Sequence, residues 1–472
     1  MTRFLPRSLA PQHASAAAVS RKGPDLLNLA VSGVIFTFVW RVQDLFPVLA
    51  EIKGPSLASL AALAIWLFNR DPKRKLRTIR HPVTTLVCVI MGLAVLSVPN
   101  SLYPGLSFAF INDDLSKNFL LFVLLAASVR AFADVRRYAS TMLIGGTIYA
   151  FYVYLFVPVG RSGRLGDIVY YDANDLGMLL LCVIPIALFF VIRGRQLAFR
   201  MLSLGSMALL LLVIIKTGSR GAFLGLIGVA IYMLFLFRGV SAKSRWVAVG
   251  AGVIAVMSLG GPKYWKLMGT LLHPEDDYNW SGGADEGRVE IWKRGMGYMI
   301  SHPITGVGVS AFPVAEGQIS PLAERQELGI GVKWSAAHNS FVQIGAELGV
   351  PGLVAFLLVL FQGFRAARNA GQRVGATRVG RFMVPAPPPS DEEVLGQAFA
   401  ASLVGYVFAG FFLSQAYGAF TFAILAMIVG VSKVRQASVS AHSGSGAAQL
   451  TPSPLAGSAR VRRAGVVWPR AS

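Results

Sequence analysis

The chain has 472 residues, 54% of them hydrophobic and only 14% charged, with a mean hydropathy of +0.58; soluble domains, nearer a quarter charged, are excluded by that balance. The formal net charge of +21 would suit a nucleic-acid binder, but in so apolar a chain the basic residues must first be placed relative to a bilayer. Its two cysteines, Cys88 and Cys182, lie inside apolar runs without metal-ligand spacing, so neither a disulfide nor a zinc site is expected.

Residues 1–24 carry Arg3, Arg7, Arg21 and Lys22 among Pro, Ser and Ala, and read as a disordered cytoplasmic arm without a cleavable signal peptide. Apolar runs follow at 26–46, 55–68, 82–98, 118–133, 138–159, 174–192, 201–216, 221–237, 246–261, 341–363, 396–414 and 416–432. They predict an all-α polytopic membrane protein of about twelve transmembrane helices. Helices 1–9 occupy 25–261, and 262–337 forms one large loop containing short helices. Residues 338–432 hold a loop helix and helices 10–12 around a Pro-rich linker near 365–395, and 433–472 reads as a disordered tail.

Most of the 44 Lys and Arg fall in alternate connections: the N-terminal arm, Arg70 to Arg80, Arg130 to Arg137, Arg193 to Arg200, Arg238 to Arg245, Arg365 to Arg381, and the tail. Because cytoplasmic loops are the basic ones, both termini are expected in the cytoplasm and the 262–337 loop outside, periplasmic where a cell has two membranes. The charge is thus a topology signal, and no nucleic-acid partner is expected.

A loop of roughly 75 residues far exceeds an ordinary connection and is expected to carry function. Val289, Trp292, Met296 and Met299 recur at helical spacing, predicting a short amphipathic helix that stops at His302-Pro303, followed by the turn Gly306-Val307-Gly308. Its apolar face reads as packing. Arg288 stands at the start of that helix, where a cation is unfavourable, and so points to an anionic partner. A second helix is expected over Phe341, Ile344 and Leu348, capped by Asn339 or Ser340, ended by Gly349 and restarted at Pro351. His338 precedes it in a positive field that keeps the imidazole neutral, the state a general base needs; a purely structural histidine is the other reading.

Two shorter outer connections add polar groups. In Lys216-Thr217-Gly218-Ser219-Arg220-Gly221 the glycines let backbone donors approach an anion and Arg220 offers a two-pronged fork, although it could equally snorkel to lipid headgroups. Between Arg161 and Asp175, Arg164 is a further anion contact, and Asp172, Asn174 and Asp175 can cap the next helix. Arginines facing outward above apolar helices suit a lipid-linked diphosphate. There is no Walker-type glycine loop, and the carboxylate run of the long loop, Glu275-Asp276-Asp277, serves either as a metal site or as solvated acid.

In these pieces the sequence resembles the O-antigen ligase and polymerase superfamily: Thr217-Gly218-Ser219-Arg220, Gly287-Arg288 with Trp292, His302-Pro303 with Gly306-Val307-Gly308 and Phe312, and His338-Asn339 through Glu347-Leu348-Gly349 to Pro351-Gly352. The resemblance implies metal-independent, cofactor-free glycosyl transfer on the outer face of the inner membrane. The donor would be a glycan on undecaprenyl diphosphate, and the acceptor a hydroxyl of lipid A core or of a lipid-linked repeat unit. Arg220 and Arg288 would hold the diphosphate while His338 activates or orients the acceptor. Arg164, Lys216, Ser219, Asn339 and Glu290 complete the expected diphosphate- and substrate-binding set, and other polysaccharide-assembly proteins are possible partners. The alternative is a multi-pass transporter or flippase, which generally needs ionisable groups near the bilayer midplane; here the helices are nearly free of them.

Overall fold

The structure, a computed structural model, describes residues 25–46, 51, 53–160, 163–166, 171–273, 287–327, 333–372, 377–379, 382–384 and 388–448. Glu275–Asp277 and the two chain ends, 1–24 and 449–472, fall outside the described residues.

The described chain is helical apart from a small antiparallel hairpin pairing Thr377–Val379 with Phe382–Val384. The first five helices are α1 (Leu26–Val34, continued by a wider turn over Ile35–Val39), α2 (Gly54–Leu67), α3 (Pro82–Ser97), α4 (Pro104–Phe110) and α5 (Ser116–Ser128). Then come α6 (Phe132–Phe156), α7 (Ala173–Arg193), α8 (Leu197–Thr217), α9 (Arg220–Phe235) and α10 (Ala242–Leu259). The long loop contributes α11 (Pro262–Gly269), α12 (Arg288–Ser301), α13 (Phe312–Gln318) and α14 (Glu324–Glu327), and the chain continues as α15 (Ser340–Ala370), α16 (Asp391–Gly410) and α17 (Ala419–Ala448).

Eight helices among the described residues are long and apolar enough to cross a membrane: Pro82–Asn100, α6, α7, α8, α10, α15, α16 and Ala419–Ala437. The apolar runs at the start of the chain and at 221–237 form shorter helices, Leu26–Val39, Gly54–Leu67 and Arg220–Phe235, and the run at 118–133 is broken after Ser128, the end of the 13-residue α5. The chain is a multi-pass membrane protein.

Local chemistry sets where the helices begin. Asp172 accepts from the backbone N–H groups of Asn174 and Asp175 at the start of α7, and Ser219 accepts from Ala222 N at the start of α9. Ser390 and Glu393 form a reciprocal capping box for α16, while Pro82 and Pro262 open α3 and α11 in the first turn, where a missing N–H costs nothing. α16 is buried along most of its length against α7, α9 and α15, whereas α10 buries no residue at all.

Successive spans alternate in direction and give the bundle two distinct ends. At the basic end Arg136 pairs with Asp391 at 3.0 Å and Arg193 donates to Pro389 O at 2.7 Å. At the other end the C-terminus of α8, the N-termini of α7, α9 and α15, and the connection between α16 and α17 come together with the long loop.

Candidate functional site

The scaffold of the site is a broken helix. Gly349 interrupts α15 at φ +68° and ψ −167°, with Pro351 in the first turn of its second half. A break of this kind orphans carbonyls at the end of one half and N–H groups at the start of the next. The turn after α12 satisfies both: Val307 N donates to Ala346 O at 2.8 Å, Gly308 N to Glu347 O at 3.1 Å, and Val350 N to Pro303 O at 2.9 Å. This fit is too close for side chains. A Cβ on Gly349 would lie 2.5 Å from Pro303 O, and one on Gly306 (φ +64°) 2.3 Å from the Glu347 carbonyl carbon. The buried Glu347 side chain extends the same join by accepting from Phe312 N at 3.4 Å. The His302–Gly308 and Glu347–Gly352 motifs are therefore one structural unit that fixes the loop to the bundle.

His338 sits just ahead of this helix. Asn339 spends its side chain on capping, accepting from Phe341 N at 2.9 Å and Val342 N at 3.1 Å. His338 itself lies in the left-handed region, φ +48°, an uncommon conformation for a residue with a Cβ. Two contacts hold it there: its N–H donates to Ser414 Oγ at 2.8 Å, and Trp292 Nε1 donates to the carbonyl of the preceding Ala337 at 3.0 Å. Burial pushes the imidazole down to about 4, helped by the Arg288 guanidinium and by Lys333 and opposed by Asp172. The ring is neutral at neutral pH.

Arg288 and the helix that Arg220 opens both reach the connection between α16 and α17. Arg288, first residue of α12, donates to Phe412 O at 3.4 Å, and Trp292 one turn on packs edge-to-face on Phe411 with ring centroids 5.1 Å apart. Arg220 opens α9, whose Gly221 lets the helix approach until a Cβ there would be 3.3 Å from the Phe412 side chain; the Arg220 guanidinium donates to Thr270 Oγ1 at 2.8 Å. Arg164 joins through Gly218 (φ +60°), whose hypothetical Cβ would lie 3.0 Å from Arg164 Cγ, and donates to Asn174 at 2.8 Å. Gln415 completes the circle by donating to Asp175 at 2.9 Å. Arg288 and His338, far apart in sequence, thus meet at Phe411–Gln415, while Arg220 opens a helix packed against Phe412 and Arg164 lies against Gly218 before that helix.

Four other expected residues serve other ends. Lys216 turns to α6, with its ammonium 3.1 Å from Tyr154 O and 4.6 Å from the Tyr154 ring centroid, because its place on α8 faces that helix rather than the cluster. Glu290 pairs along its own helix with Lys293 at 2.7 Å. Ser219, like Asn339, is occupied as a helix cap. The buried face of α12 is Ile291, Gly295 and Tyr298, one step round from the apolar stripe expected; Met296 points outward. Among the described residues no three His, Cys, Asp or Glu side chains are grouped to hold a metal ion.

The sequence reading missed the Phe411–Gln415 connection. Its signal was the polar pair Ser414-Gln415 between two apolar runs. Also missed was the buried fork in which Arg294 clasps Glu316 at 2.6 to 3.2 Å while Tyr298 donates to the same carboxylate at 2.7 Å, tying α12 to α13.

Beside Arg220 an apolar cavity of about 360 Å³ runs between α8, α9 and α10, from Phe223 and Trp265 at the site end to Met233 and Ala248 further along. Residues 205–357, which contain Arg220, Arg288 and His338, match the family described as O-Antigen ligase. That segment is thus similar to an O-antigen ligase domain. The match supports a ligase- or polymerase-type role in surface-polysaccharide assembly. Arg164 and the Phe411–Gln415 connection lie outside the segment matched to the O-antigen ligase family. No curated protein matches the chain.

Proposed function

We propose that this protein is a metal-independent, inverting glycosyltransferase of the bacterial inner membrane that moves a glycan from undecaprenyl diphosphate to an acceptor sugar hydroxyl. The acceptor is lipid A core or another lipid-linked repeat unit. The observation that carries the reading is that Arg288 and the neutral His338 meet one connection, Phe411–Gln415, against which the helix opened by Arg220 also packs, beside an apolar groove. In this reading about twelve helices cross the membrane, both termini are cytoplasmic, and the site faces outward.

The groove between α8, α9 and α10 takes the isoprenoid next to the diphosphate. Arg220 and Arg288, with Arg164 behind them, receive the diphosphate and stabilise the charge that develops as it leaves, an effect of a few kcal/mol for each well-placed donor. His338 accepts the proton of the acceptor hydroxyl as oxygen attacks the anomeric carbon from the face opposite the diphosphate. Burial and Arg288 keep the ring uncharged until that step. Transport is the weaker reading, since charged side chains in the span-length helices fall within about two turns of a helix end or, for Glu347, beside the Gly349 break.

The test is glycan transfer by purified protein in lipid, with a lipid-diphosphate oligosaccharide as donor. Arg288→Ala and His338→Ala should each lower kcat by about 10²-fold or more, with folded protein recovered in wild-type amounts. Activity should persist in EDTA. Normal transfer by either variant would overturn the assigned roles, and a loss restored by a divalent ion would return attention to Glu275–Asp277.

A further inference from the structure

α12 has a second, outward face that neither the loop packing nor the proposed chemistry uses. Lys293, Met296, Ile300 and Ile304 follow one another at helical spacing along it and onto the turn beyond. Ile300 is 74% and Ile304 75% exposed, an unusual degree for large apolar side chains in one stripe. The stripe does not stop at the end of the loop. Pro303 accepts the backbone hydrogen bond of Val350, and from there Val350, Val354, Leu357, Leu358 and Phe361 continue an exposed apolar ridge down the second half of α15. That ridge belongs to a helix long and apolar enough to cross a membrane.

Helix length locates the boundary. The second half of α15, 350–370, is about 31 Å long at 1.5 Å per residue, close to the ~30 Å thickness of a hydrocarbon core. The bilayer surface therefore falls near Val350, at the level of the turn bound to it. Lys293, 61% exposed and paired with Glu290, lies two helical turns back from Ile300 at the polar end of the stripe, a place suited to the headgroup level.

We propose that the outward face of α12 and the Pro303–Thr305 turn are embedded in the lipid interface, with Ile300 and Ile304 among the upper acyl chains and Lys293 among the headgroups. The occupant is lipid rather than a second protein because the surface is continuous with the lipid-facing ridge of α15. The inference goes beyond the proposed reaction and stands or falls separately from it. It has a consequence for the site: α12 is pinned at one depth, so Arg288 at its far end is held just above the headgroups, the level at which a membrane-anchored diphosphate lies.

The test is spin labelling in nanodiscs after Cys88→Ser and Cys182→Ser, with cysteines introduced singly as Lys293→Cys, Ile300→Cys, Ile304→Cys and Val354→Cys. Labels at 300 and 304 should be more accessible to oxygen than to a water-soluble nickel chelate, as at 354, and the label at 293 should show the reverse. Nickel access at 300 and 304 equal to that at 293 would overturn the proposal. So would labels shielded from both reagents, which would mean a protein contact. Photolabelling of the unmodified protein with a diazirine phospholipid gives a second measurement should the variants fold poorly: adducts are expected within 296–304, and their absence alongside labelling of 350–361 would also overturn it.

Discussion

At the basic end of the bundle, Arg74 is buried and forked onto Asp25 at 3.0 and 2.6 Å, Arg130 joins the same carboxylate, and Asn28 donates to Asp134 and accepts from Tyr138 beneath them. At the site end, the described contacts that place Arg288 and His338 run to main-chain and hydroxyl groups of a single connection, Phe412 O and Ser414 Oγ. One end is fastened by side chains of opposite charge that complete one another. Around His338 the other end is arranged by backbone geometry, a left-handed His338, a helix broken at Gly349 and a turn threaded against the break, with the Arg294–Glu316 pair set apart between α12 and α13. The first arrangement serves stability, and the second serves position, so damage to each should register differently.

The largest effect expected from testing that contrast is on stability. Arg74→Ala leaves the Asp25 carboxylate and Asn28 without their buried partner and should cost about 3–5 kcal/mol, read by denaturation in detergent. A loss below about 1 kcal/mol would mean that water already screens the cluster. A smaller, catalytic effect is expected at the other end. Ser414→Ala removes the acceptor of the His338 N–H, worth about 1 kcal/mol, and should lower kcat roughly 5-fold, with little change in KM for the donor or in melting temperature. Equal losses of stability and activity would erase the distinction between the two ends.

The subtlest test is the acid dependence of stability. The folded His338 titrates near 4 rather than 6.5, so between those values the unfolded chain binds a proton that the folded chain refuses, and stability falls as pH drops through that window. Asp25 behaves oppositely in origin. Burial works against its charge, but Arg74, Asn28 and Arg130 together hold its carboxyl below the usual 3.8, so its contribution is present above that value and lost only as pH falls beneath it. The His338 contribution should therefore be lost at higher pH than the Asp25 contribution. His338→Gln should flatten the upper window alone, as followed by melting temperature against pH; a slope unchanged by that substitution would place the titrating group elsewhere.

Much of this architecture is written locally. Apolar runs between 82 and 98 or 174 and 192 become helices because nothing within them can satisfy backbone polar groups in lipid except the helix itself. The α15 break was legible because a glycine two residues before a proline can end one helix and open the next, and Asn339 was legible as a cap. The outward face of α12 was not: Trp292, Met296 and Met299 share an apolar character, and only the neighbours decide that Trp292 meets Phe411 while Met296 faces away.

What the sequence determined by itself was the membrane character, the alternation of basic connections, the start and stop of most helices, and a short set of residue types suited to an anion. Which of those residues meet was decided only by the tertiary structure, because the contacts join positions far apart in the chain: Arg288 to Phe412 across 124 residues, His338 to Ser414 across 76. Helix and turn propensities act over a few neighbours. They carry no information about which face of α8 turns Lys216 toward Tyr154 and away from the arginines, a choice made by close packing of helices whose order in space the chain order does not fix.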